Sequence, residues 1–155
     1  DCEAERLNAM ASADTINDYN PRLVAIVIYG QQPSASTQNM IGTNALLAEL
    51  KGRYGHLKTV LIGLHPSAVS RGTMQDEQSD FVCQGEGPHT INGLLTVNMN
   101  DTSQLAKVPG LWYREDGNIT CPTDLARRTT RRASRYGLGL TPNEQVSYSQ
   151  LARND

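Results

Sequence analysis

The chain has 155 residues, 38% of them hydrophobic, and a formal net charge of −2, which leaves room for one domain with a core and excludes wholesale disorder or a large multidomain enzyme. The near balance of 14 Lys plus Arg against 16 Asp plus Glu argues against a generic binder of nucleic acid or anionic membrane. The balance hides a skew: Arg127, Arg128, Arg131, Arg132 and Arg135 fall within nine residues, and the part before them is acidic.

Residues 4–19 carry Leu7, Met10, Ala11 and Ile16 at roughly helical spacing, predicting a helix that Pro21 stops. Residues 23–29, Leu-Val-Ala-Ile-Val-Ile-Tyr, form an apolar, β-branched run closed by Gly30 and predict a strand buried on both faces. A helix is expected over 38–54, where Met40, Ile41, Ala45, Leu46, Leu47 and Leu50 mark an apolar stripe and Gly55 supplies a stop. A second buried strand, 58–62, runs into Gly63-Leu64-His65-Pro66. A third, 80–83, runs into Gln84-Gly85-Glu86-Gly87 and a helical stretch at 90–95. Strand, loop and helix repeated with short connections predict an α/β fold with a parallel sheet. Residues 110–120 alternate around Asp116-Gly117, the pattern of a hairpin. Beyond about residue 126 sustained periodicity stops.

Cys2, Cys83 and Cys121 are odd in number and far apart, and His56, His65 and His89 lack metal-ligand spacing; no disulfide framework and no metal site is expected. These thiols suit a reducing cytoplasm. With no signal-peptide pattern and no apolar run near about 18 residues, neither secretion nor a membrane span is expected. No G-x-x-x-x-G-K-[ST] loop, G-x-S-x-G elbow or nucleophile–base pair is legible, so no catalytic residue is assigned.

In an open parallel sheet ligands sit beyond the carboxyl ends of the strands, which singles out residues 29–37, 63–67 and 84–87. The first loop offers the amides and hydroxyls of Gln31, Gln32, Ser34, Ser36 and Thr37 around Pro33, with no charge. It suits a large polar ligand, or a helix entry capped by Ser34, Ser36 or Thr37. His65 suits a metal, acid–base chemistry or a structural role. Gly85-Glu86-Gly87 permits close backbone approach but is too short for a dinucleotide fingerprint.

These loops, in this order with Val108-Pro109-Gly110-Leu111, Tyr113-Arg114 and Gly117, resemble the cobalamin-binding domain of B12-dependent radical S-adenosylmethionine enzymes. The subgroup is the one related to anaerobic magnesium-protoporphyrin monomethyl ester cyclase. The resemblance covers roughly residues 1–124. It implies a flavodoxin-like domain ahead of a radical S-adenosylmethionine barrel whose Cys-x-x-x-Cys-x-x-Cys motif holds an iron–sulfur cluster; this chain binds neither the cluster nor S-adenosylmethionine. It places cobalamin against Gln31, Gln32, Pro33, Ser34, Ser36, Thr37, Gly63, His65, Pro66, Gly85, Glu86 and Gly87. The D-x-H-x-x-G motif of the methionine-synthase type is absent, so His65 is not assigned as a cobalt ligand. Leu64 stands where the family often has a second glycine.

Under the same resemblance, 23–29, 58–62 and 80–83 correspond to strands 3, 4 and 5 of a 2-1-3-4-5 sheet. Strand 1 is then missing, and the fragment is expected to bind cobalamin poorly. The family normally continues into segments like DELPG and AWDLLPMxKYRxHNW. Reading degenerate codons one base later over residues 127–132 permits E-L-P-G-V, and over 138–151 it permits W-D-L-L-P-M-[NS]-K-Y-R-T-H-N-W. Residues 125–155 are therefore expected to be a frameshifted tail whose arginines form no nucleic-acid site. The alternative is a non-catalytic α/β regulatory or protein-interaction domain in which the same loops are structural.

Overall fold

In a computed structural model, which describes residues 5–85 and 87–121, the chain opens with helix α1 (Ala9–Asp18). Asn8 sets its start, since the side-chain oxygen accepts a hydrogen bond of 2.8 Å from the Ala11 N–H. Asn20, at φ +46°, turns the chain out of the helix, and Pro21 cannot continue it.

Three strands follow in the predicted places: β1 (Val24–Ile28), β2 (Thr59–Gly63) and β3 (Phe81–Cys83). They run parallel, with Ile28 opposite Gly63 and Leu61 opposite Val82. Residues 110–120 form the hairpin of β4 (Leu111–Glu115) and β5 (Asn118–Thr120). Its turn puts Asp116 at φ +49° and Gly117 at φ +79°, the left-handed pair that a tight hairpin needs.

Among the described residues the sheet is one five-stranded layer in the order β1-β2-β3-β4-β5. It is mixed rather than parallel throughout. Leu111 lies opposite Cys83, and β4 pairs antiparallel to β3. The reason is the connection from α6 (Gly87–Thr96) to β4. It is long enough to hold a helical turn, α7 (Thr102–Leu105), capped by Asp101, and it returns the chain to the end that β3 has just left. There Gln84 N–H donates to Gly110 O at 2.7 Å.

Helices cover both faces of the sheet centre. On one side Ile28, Leu61 and Val82 pack with Met40 and Leu47 of α3 (Met40–Arg53) and Met74 of α5 (Ser70–Asp76). On the other, Val60, Ile62, Phe81 and Cys83 pack with Leu94 of α6, Leu105 of α7 and Val108. A third cluster, Ala13, Val24, Leu50 and Leu57, fastens α1 to α3 and β1. Each large apolar side chain so buried contributes about 1.5–3 kcal/mol.

Strand β2 is buried along its first four residues, as its composition predicts. Strand β1 is not. Val24 and Ile28 are buried, but Ala25 is exposed and Val27 is 65% exposed, because β1 ends the sheet among the described residues and is covered on one face alone. The expectation of burial on both faces is corrected accordingly.

Two stretches expected as loops are partly helical. Pro33 opens α2 (Pro33–Gln38) at its first turn, where its fixed φ and missing N–H cost nothing. The 63–67 segment winds into α4 (Leu64–Ala68), followed at once by α5. The described residues all belong to one compact unit. The proposed frameshifted tail and Cys2 lie outside the described residues. No described helix is long and apolar enough to cross a membrane.

Candidate functional site

Parallel pairing of β1, β2 and β3 brings the segments after them to one end of the sheet. Strand β1 leads through Gly30 into α2, and β2 leads through Gly63 into α4. The two helices are tied together by consecutive residues of α2. Ser36, 0% exposed, donates from Oγ to Ile28 O and accepts from the His65 N–H, both at 3.1 Å. Thr37 Oγ1 lies 2.8 Å from His65 Nδ1, the donor being set by the imidazole tautomer. Asn39 Nδ2 donates to Tyr29 O at 2.6 Å, and Ser67 Oγ accepts from the Gly85 N–H at 2.8 Å. The three segments thus form one hydrogen-bonded surface, each bond adding about 0.5–1.5 kcal/mol.

The glycines make these approaches possible. Gly63 sits at φ +140°, and a Cβ there would lie 2.2 Å from Ile28 O. A Cβ on Gly30 would lie 2.4 Å from Ser36 N, so α2 meets the strand end only because that side chain is absent. Gly87 is buried against Ile62. The close approach it permits is therefore helix to strand, not backbone to ligand.

Of the residues singled out from sequence, Ser36, Thr37, Gly63 and His65 are brought into direct register. Gln31, Gln32, Ser34 and Gly85 are exposed in the same three segments. Pro66 is buried, Pro33 stands at the head of α2, and Glu86 lies outside the described residues. No side-chain cap is made at α2; Ser34, Ser36 and Thr37 are inside the helix, so the capping role is corrected for all three. Asn39 joins the site unforeseen, and Ser67, at the end of the expected 63–67 segment, joins it without having been named as a contact. Neither has a distinguishing spacing, and each matters only because distant segments meet.

Burial holds the His65 imidazole below its ordinary pKa, so it is neutral near pH 7. The Thr37–His65 contact has the length of a nucleophile–base pair, but among the described residues no carboxylate is bonded to the imidazole to orient it. No group of three or more His, Cys, Asp or Glu is placed to hold a metal ion among them. Cys83 is a buried thiol 3.2 Å from Thr90 Oγ1, with its pKa pushed up by burial. What the surface can do is hydrogen-bond a polar ligand through exposed amides, hydroxyls and a neutral ring. No family model and no curated protein matches the chain.

Proposed function

We propose that the chain is a flavodoxin-like cobalamin-binding domain, a fragment of a B12-dependent radical S-adenosylmethionine enzyme. The reading is supported by one observation above others. The segments that carry the resemblance come together at the carboxyl end of three parallel strands, joined by Ser36 and Thr37 to His65. The exposed side chains of Gln31, Gln32, Ser34 and Thr37 are uncharged donors and acceptors, which suit the amide-rich rim of a corrin. Ser36, Pro66 and Gly87 stand behind that surface and act by holding it. His65 is a contact rather than a cobalt ligand in this reading, since Gly63 stands where the D-x-H-x-x-G ligand motif has its Asp. Methyl transfer or a related radical step belongs to the barrel that follows in the parent enzyme, and so do the iron–sulfur cluster and S-adenosylmethionine.

The test is absorbance. The protein, expressed with the coding sequence that flanks it, is incubated with hydroxocobalamin and freed of excess cofactor. Retention of the cobalamin bands, weakened by Gln31→Ala with Gln32→Ala, is expected. Colourless protein overturns the proposal.

A second reading, a non-catalytic α/β regulatory or interaction domain, is favoured by the internal use of Ser36, Gly30, Gly63 and Gly87, which all serve packing. The same experiment separates the two, because that domain retains no cobalamin.

A further inference from the structure

At the opposite end of the sheet, where β2 and β3 begin, lies a half-open cavity of about 380 Å³. Three cations line it, Lys51, Lys58 and Arg114, against one carboxylate, Asp80. That carboxylate is already committed. Its Oδ2 accepts from the Lys51 ammonium, from the Thr59 N–H at 2.8 Å and from the Thr59 hydroxyl at 2.9 Å. Lys51 also donates to Leu57 O at 2.9 Å, and Arg114 donates to the carbonyls of Met74, Glu77 and Ser79. Lys58 differs from both: it is 33% exposed, and its ion pair with Asp80 is a long 3.6 Å. One lining residue adds an independent sign. Ser79 is 0% exposed, and among the described residues its buried hydroxyl has no hydrogen-bond partner. A buried hydroxyl left unpaired costs about 1–3 kcal/mol and calls for a ligand that accepts from it.

We propose that this cavity binds a small oxyanion, a phosphate or carboxylate group, between the Lys58 ammonium and the Arg114 guanidinium, with Ser79 donating to it. Excess positive charge favours an anion. Asp80 is engaged at Oδ2 by Lys51 and Thr59 and at Oδ1 by Lys58, so its single negative charge is already shared among the cations that line the cavity. The proposal does not rest on the cobalamin reading, since no residue is shared between the two ends.

The test is calorimetric titration of the full chain with inorganic phosphate and, separately, succinate, at an ionic strength held constant with sodium chloride. Saturable binding of one of them is expected, and which one saturates separates a phosphate site from a carboxylate site. Lys58→Gln, at a half-exposed position outside the core, is expected to weaken it by about tenfold. Ser79→Ala is expected to weaken it about fivefold with an unchanged or higher urea midpoint. Absence of saturation by both anions overturns the site, and so does an affinity unmoved by either substitution.

Discussion

Gly63 carries more of this structure than its size suggests. It ends β2, stands opposite Ile28 and holds φ +140°, with no room for a Cβ beside the Ile28 carbonyl. Gly63→Ala is therefore expected to destabilise the chain by about 2–3 kcal/mol, through strain at a positive φ and a displaced β1–β2 end, read as a lower urea midpoint. A midpoint equal to the parent's would show that the strand ends part without cost. Its neighbour His65 illustrates what residue types alone conceal. Sequence marks it as a histidine before a proline, suited to metal, catalysis or structure. Only the meeting of α2 with α4 supplies Thr37 at 2.8 Å from its ring, a contact across 28 positions that no local pattern announces.

Among the elements, the three parallel strands were legible to within a residue or so, because short apolar runs bounded by turn residues are a local signal. The hairpin was legible for the same reason, in Asp116-Gly117. The short helices α5 and α7 were not, having too few turns for a periodicity to show. Strand β1 shows a further limit: its residues are as apolar as those of β2, but their burial depends on what covers them. Substitutions on its two faces should therefore diverge. Ile28→Ala removes a side chain that is 2% exposed and is expected to cost about 2–4 kcal/mol. Val27→Lys, on the open face, is expected to change stability by no more than about 0.5 kcal/mol. Equal losses from both in chemical denaturation would mean that the outer face of β1 is covered after all.

At the scale of the whole molecule, charge acts through one network more than through the net value. Burial opposes ionisation of Asp80, but the Lys51 ammonium, the Thr59 N–H and the Thr59 hydroxyl hold its carboxyl below its ordinary pKa. The folded chain thus gives up this proton at lower pH than the unfolded chain does. The stability that results is present above about pH 4, the unfolded value, and is lost as pH falls through the folded one. Urea midpoints followed downward from about pH 6 should decline through that window, and Asp80→Asn should flatten part of the decline. An undiminished slope in the variant would place the acid sensitivity elsewhere. By itself the sequence determined the class of the fold, the places of its strands and the hairpin turn, since periodicity, β-branching and turn chemistry are properties of neighbours in the chain. The tertiary structure alone decided that the sheet is mixed, that β1 is open on one face, that Ser36 and Thr37 reach His65 and that Ser79 finds no partner among the described residues. Each of those follows from contacts between segments far apart in the chain, whose energies depend on burial and direction rather than on residue type.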